Sequence, residues 1–190
     1  MEEYLAEDDV IDVSHPAITA LAARLRRDNP GTTDFARAAF DFTRDEVNHS
    51  MDVDDPRVTV KASEVLEHRT GLCFAKSHLL TAVLRAGGVP AGLCYQRLSN
   101  GNGGHFLHGM VAVNLDGTWY RQDPRGDKPG VTSEFSLDEE RLAYQPDPAL
   151  DEADLDEILT SPDPGVVAAL RGADNVVDLV RNDGLPAHLA

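Results

Sequence analysis

Apolar positions along the chain follow two periods, and the change from one to the other divides it into helices and strands. Ile18, Leu21, Ala22 and Leu25 recur at helical spacing behind Ser14-His15-Pro16, where Pro16 suits a first turn and Asn29-Pro30-Gly31 a stop. A second helix begins near Thr33 and Asp34, with Phe35, Ala38, Ala39 and Phe42 on one face. Ser63 caps a short helix from Glu64 to Arg69. Next, Leu79, Leu80, Val83 and Leu84 mark the inward stripe of a central helix, with Thr70 as N-cap, Gly87-Gly88 as its stop and Pro90 preventing continuation. The period then shortens: residues 91–98, 106–115 and 118–123 form three strands. Residues 151–159 return to helical spacing, and Val166 to Val180 suggest one or two further helices before Gly184-Leu185-Pro186. The expected organisation is a core over 1–150, with 151–190 as a helical extension packed on the same domain.

Three stretches break the periodicity. Residues 41–55 are dense in polar groups around Asn48-His49-Ser50, which form either a solvated loop or one wall of a cleft. Ser99 to Gly104 is a glycine- and asparagine-rich loop suited to a lid, and 127–150 is irregular, anchored by Phe135 and Leu142.

Between the last two strands stands Asp116-Gly117, a strong signal for a two-residue hairpin turn. That turn fixes a register: Leu115 faces Thr118, Val113 faces Tyr120 and Met110 faces Asp123. His108 lies two residues from Met110, on the same side of the ribbon, and so becomes a diagonal neighbour of Asp123. Diagonal partners lie roughly 7–8 Å apart at the backbone, within reach of an imidazole and a carboxylate.

Charge narrows the function. The chain has 190 residues and a formal charge of -16, with 33 acidic residues against 17 lysines and arginines. Such a surface repels phosphate backbones, so nucleic acid is not an expected partner. There is no apolar run of the roughly 18 residues that a bilayer span requires, and the acidic start lacks a signal-peptide pattern. The expected location is the cytoplasm, with no membrane association and an undetermined oligomeric state.

The two cysteines differ. Cys73 falls at the start of the central helix, where backbone N–H groups and the helix dipole stabilise an anion, and the thiolate is the nucleophilic form. Cys94 lies within a strand and behaves as a packed small hydrophobe. No cofactor is expected. His49, His105, His108 and Asp123 fit no usual zinc spacing, so no metal site is expected either. A cysteine nucleophile needs a base, and the base an orienting partner. Cys73, His108 and Asp123 supply those roles from three elements. The oxyanion would be held by the Cys73 backbone N–H and a second donor from Asn48, His49 or Gln96. Lys76, one turn after Cys73, either raises the thiolate fraction or is a solvated helix residue.

Gly71-Leu72-Cys73, followed by Leu79-Leu80, Leu84-Arg85-Ala86 and Val89-Pro90-Ala91, resembles the nucleophile motif of the bacterial transglutaminase-like superfamily. His108, Asp123 and Trp119 after Gly117 match the positions that follow in that family. Met110 stands where an aromatic residue is usual, and Asn48-His49-Ser50 where relatives carry an oxyanion donor or tyrosine. The resemblance implies a papain-like α+β fold, with the nucleophile helix packed on an antiparallel sheet between helical N- and C-terminal extensions. It implies acyl transfer at an amide of a peptide, protein or small molecule, through a thioester, by hydrolysis or transamidation. The alternative is a catalytically silent peptide-binding module on the same fold.

Overall fold

A computed structural model describes all 190 residues. Helices α1 (Pro16–Asp28) and α2 (Thr32–Asp45) lead to a two-residue strand β1 (Asn48–His49) and a single helical turn α3 (Ser50–Val53). Then come α4 (Ala62–His68), β2 (Thr70–Gly71) and the central helix α5 (Cys73–Ala86). The long strands β3 (Ala91–Ser99), β4 (His105–Leu115) and β5 (Thr118–Gln122) follow, then β6 (Ala153–Asp154), α6 (Pro164–Arg171) and α7 (Val176–Arg181). The sheet is antiparallel in the order β5-β4-β3-β6, while β1 and β2 form a separate parallel pair.

The faces of α1 are those of its sequence pattern: Ile18, Leu21, Ala22 and Leu25 are its buried residues. In α2 the buried face is turned to Phe35, Ala36, Ala39, Phe40 and Thr43, leaving Ala38 and Phe42 half-buried. The central helix departs further from expectation, since every residue from Cys73 to Arg85 is buried. It carries no single stripe because α1, α2 and α4 pack on one side and β3 and β4 on the other. Some of its polar groups find carbonyl partners, while Ser77 Oγ, Thr81 Oγ1 and His78 Nε2 are buried without one. Arg85 donates to the carbonyls of Ala91, Ala6 and Thr160, and His78 Nδ1 lies 2.8 Å from the Val60 carbonyl.

The β4–β5 register matches the hairpin derived from the turn: Leu115 pairs with Thr118, Val113 with Tyr120 and Val111 with Gln122. Asp116 and Gly117 both have positive φ, 52° and 85°, as a type I′ turn requires. Leu107, Val111, Val113 and Leu115 face the main core, while Met110 and Ala112 join Cys94 and Leu142 in a small cluster on the other face.

Residues 151–159 are not helical, contrary to the expectation from their spacing. Asp151 is left-handed (φ 57°), and the chain then runs extended along β3, pairing Ala153 with Arg97 and Asp154 with Gln96. Leu93 and Leu159 exchange two backbone hydrogen bonds of 2.8 Å. The cause is the otherwise open edge of β3, whose backbone groups require partners that a helix could not supply. Beyond it α6 and α7 place Val166, Leu170, Val176 and Val177 in the main core. No helix is long and apolar enough to cross a membrane.

Candidate active site

The N-cap of α5 is Leu72 rather than Thr70, and Cys73 is the first helical residue rather than the third. Thr70 is occupied elsewhere. It pairs with Asn48 across the β1–β2 bridge, its carbonyl accepts from Thr59 Oγ1 at 3.0 Å, and its hydroxyl lies 3.4 Å from that of Ser50. Leu72 has no side chain able to cap, so no side chain takes up the first-turn N–H groups of α5, including that of Cys73. Gly71 is required at this approach: a Cβ there would lie 2.9 Å from the Ala75 Cβ and 3.1 Å from Thr59 Oγ1.

Strand β4 meets this helix start at Gly109. A Cβ at that position would lie 2.8 Å from Phe74 Cδ1, 3.2 Å from Phe74 Cα and 3.4 Å from Phe74 N. Only a glycine allows the strand to approach the helix so closely, and the approach brings the preceding residue, His108, to the cavity that Cys73 lines. A glycine inside a strand pattern was the available sequence signal for this contact.

His108 Nε2 and Asp123 Oδ2 are 2.8 Å apart, with side chains 2% and 0% exposed. The turn register therefore brings imidazole and carboxylate into direct contact. Asp123 Oδ1 also accepts from the Arg125 N–H at 3.0 Å, and Oδ2 from the Ala143 N–H at 3.0 Å. Burial would raise the Asp123 pKa, but the charge and hydrogen bond of His108 and the two backbone donors overcome this and hold it below the ordinary carboxylate value. For His108, burial pushes the imidazole down. The Asp123 carboxylate and the Cys73 sulfur, acting by charge and by hydrogen bonding, outweigh it and raise the pKa to about 10. With Nε2 on Asp123, Nδ1 is the nitrogen left for the sulfur. The Tyr144 ring stands edge-on to the imidazole, centroids 5.0 Å apart at 86°.

Cys73 is 7% exposed and opens into a cavity of about 250 Å³, which His49, Met51, Phe106, His108 and Tyr144 help to line. Of the three oxyanion candidates, His49 alone lines this space. Its Nδ1 is buried without a partner. Burial, aided by the charges of Arg125, Lys76 and His108 and opposed by Asp52, pushes its pKa down to about 3, so the ring is neutral at neutral pH. Asn48 is exposed and lines a neighbouring polar depression with Arg44, Asp45 and Lys76. Gln96 is buried directly opposite His108, but its amide nitrogen donates to the Tyr144 carbonyl at 3.3 Å and to Asp154 Oδ1 at 2.9 Å. It braces Tyr144 and does not line the Cys73 cavity.

Lys76 is neither solvated nor aimed at the sulfur. It is fully buried and donates to the carbonyls of Arg44 and Val47, tying α5 to the end of α2. Burial first, then Arg125, lower its pKa to about 7 against the pull of Asp123, Asp52 and Asp45. Cys94 is a packed thiol, 1% exposed, and burial pushes its pKa up to about 12. Arg125 was not anticipated from sequence. It is buried and donates to both oxygens of Asp52 at 2.7 Å, fastening the turn after β5 to α3.

A cysteine opening a buried helix, packed against an antiparallel sheet in which one strand supplies a histidine and the position just beyond the end of the next its paired aspartate, belongs to the transglutaminase-like, papain-like class of α+β folds. The family model described as "Transglutaminase-like superfamily" matches residues 19–124, more than half of the chain, and the chain belongs to that superfamily. The superfamily includes cysteine-dependent acyltransferases and peptidases. Among solved structures, one from Cytophaga hutchinsonii, provisionally titled a cysteine protease, is 17% identical with a TM-score of 0.50, covering 64% of this chain and 40% of that one. The periplasmic domain of TgpA from Pseudomonas aeruginosa is 24% identical with a TM-score of 0.47, covering 64% and 45%. The chain thus spans less than half the length of these solved relatives. No curated protein matches it significantly.

Proposed function

We propose that the chain is a thiol-dependent acyl-transfer enzyme acting on an amide or peptide-type carbonyl through Cys73, His108 and Asp123. The observation that carries this reading is the buried imidazole that lines one cavity with Cys73 and lies 2.8 Å from the Asp123 carboxylate. His108 takes the thiol proton at Nδ1, and the sulfur attacks the carbonyl carbon. The resulting oxyanion is received by the Cys73 N–H, with the neutral His49 ring, which lines the same cavity, as the second donor. As the C–N bond breaks, His108 returns the proton to the leaving amine and a thioester remains. Water or an amine then resolves it, releasing acid or a new amide.

The raised pKa of His108 suits this cycle. Cys73 is one of its supports, after Asp123, and that support is lost on acylation. The imidazolium then becomes more acidic when its proton is needed.

The test is acylation by p-nitrophenyl acetate, followed by p-nitrophenol release and peptide mass mapping. The reading expects one acetyl group on Cys73, none in Cys73→Ala, and a rate lower by roughly 10³-fold in His108→Ala. Acetylation located elsewhere, or equally fast without His108, would overturn it. Adding an excess of a simple primary amine shows whether water or amine captures the thioester.

A further inference from the structure

The family match ends at residue 124, yet two walls of the Cys73 cavity come from much later in the chain: Val180 at the end of α7 and Leu185 beyond it. The same two residues, with Phe106, also line an adjoining cavity of about 270 Å³ that reaches Asn100 and His105. The two spaces therefore meet along an apolar edge made by Phe106, Val180 and Leu185. These three side chains carry no charge, while Arg181 and Asp183 also line the adjoining cavity and Arg125 and Lys128 the Cys73 cavity.

The late segment is held on both sides of the cleft. On one side the Val176 N–H donates to the Pro56 carbonyl at 2.9 Å, and Arg181 pairs with Asp54 at 2.8 Å. On the other, the Leu107 N–H donates to the Pro186 carbonyl at 2.8 Å, next to His108 in β4, and Asn100 Nδ2 donates to Asp183 at 3.1 Å. Strand β5 pairs with β4 only as far as Val111, so Pro186 occupies part of the edge that β5 leaves open. Val180 and Leu185 are thus fixed parts of the cleft wall.

We propose that Val180 and Leu185, with Phe106, form a specificity-determining subsite that receives an apolar group of the acyl donor beside the attacked carbonyl. The proposal rests on the acyl-transfer reading above and adds the substrate class: acyl groups or peptides with an aliphatic or aromatic side chain next to the reacting amide. Its basis is the continuity of the apolar edge with the Cys73–His108 cavity. An apolar pocket discriminates by about tenfold or more per methylene it accommodates.

The experiment compares p-nitrophenyl hexanoate with p-nitrophenyl acetate as acyl donors for the full chain, reading the ratio of their kcat/KM values. The wild type is expected to favour hexanoate by at least roughly tenfold, the value of a single accommodated methylene, and the ratio to fall at least about fivefold in Val180→Asp and Leu185→Asp. Val180→Thr and Leu185→Ala, which add no charge, are measured alongside and are expected to lower the ratio less, with circular dichroism confirming that each variant is folded. A ratio near one in the wild type, or an unchanged ratio in the folded variants, overturns the subsite while leaving Cys73-dependent acylation standing. Absence of Cys73-dependent acylation with either ester overturns the underlying reading instead.

Discussion

Replacing Gly109 by alanine tests how the helix start and strand β4 place the thiol beside the imidazole. The new methyl would meet Phe74 Cα at 3.2 Å and Phe74 Cδ1 at 2.8 Å. Carbon atoms are comfortable at roughly 3.5–4.0 Å, so the backbone contact must open by about 0.3–0.8 Å. The Phe74 ring could rotate away, but its Cα cannot, so α5 must move relative to β4. Cys73 immediately precedes Phe74 and moves with it, whereas His108 stays with the strand. A displacement near 1 Å in a catalytic group costs about 10²-fold, so the smaller shift here should cost about tenfold or somewhat more in Cys73 acylation. Overpacking costs about 1–3 kcal/mol of stability, and each kcal/mol lowers Tm by roughly 2–4 °C in a chain of this size.

Gly92→Ala supplies the comparison. Its methyl would lie 2.5 Å from Ile158 Cγ2 and 3.0 Å from the Leu159 carbonyl, a similar clash on β3, outside the Cys73 cavity. Thermal unfolding and p-nitrophenyl acetate kinetics are measured on both variants. Both should lose Tm, and Gly109→Ala alone should lose acylation rate. An acylation rate within twofold of wild type in folded Gly109→Ala would refute the reasoning.

Other substitutions probe the remaining contacts. Asp123→Asn keeps the shape but removes the charge that holds the His108 proton; acylation should fall by about 10³–10⁴-fold, as expected of a lost orienting carboxylate, and a loss below tenfold would contradict that role. Arg125→Met removes a buried guanidinium and the bidentate partner of the exposed Asp52, and should cost about 1–3 kcal/mol in urea unfolding, the range for hydrogen bonds to charged groups; a change under about 0.5 kcal/mol would contradict it. Stability should also fall on the acid side. The folded pKa values of His49 and His78 are lowered to about 3 and 4, whereas unfolded histidine titrates near 6.5. The unfolded chain therefore binds more protons below pH 6.5, so stability is fully present above that value and is lost as pH falls toward 4 and then 3. His78→Asn, which retains an N–H for the Val60 carbonyl, should flatten this slope in urea unfolding between pH 6.5 and 4; an unchanged slope would exclude His78 as a contributor.

The parts of this site that were legible in sequence are those set by local geometry. A two-residue turn leaves little choice of register, so Asp116-Gly117 was enough to bring His108 to Asp123. Helix α1 showed its buried face because one side of it meets solvent. The features that were not legible depend on distant partners. The helix start moved from Thr70 to Leu72 because Thr70 pairs with β1, a strand too short to leave a pattern. Residues 151–159 carry helical spacing but lie along the β3 edge, whose need for partners cannot be seen from their own composition. Arg125, Tyr144, Val180 and Leu185 reach the site only through tertiary packing, and nothing in their neighbouring residues marks them.

The central claim is that the Cys73 sulfur is activated by His108. The most direct test is the rate of iodoacetamide labelling of each cysteine in the folded protein at neutral pH, followed by mass spectrometry. Cys73 should be labelled at least about 10²-fold faster than Cys94, whose thiol is buried and pushed up to about 12, and His108→Ala should remove most of that advantage. Equal labelling of the two cysteines, or an unchanged Cys73 rate in His108→Ala, would contradict it.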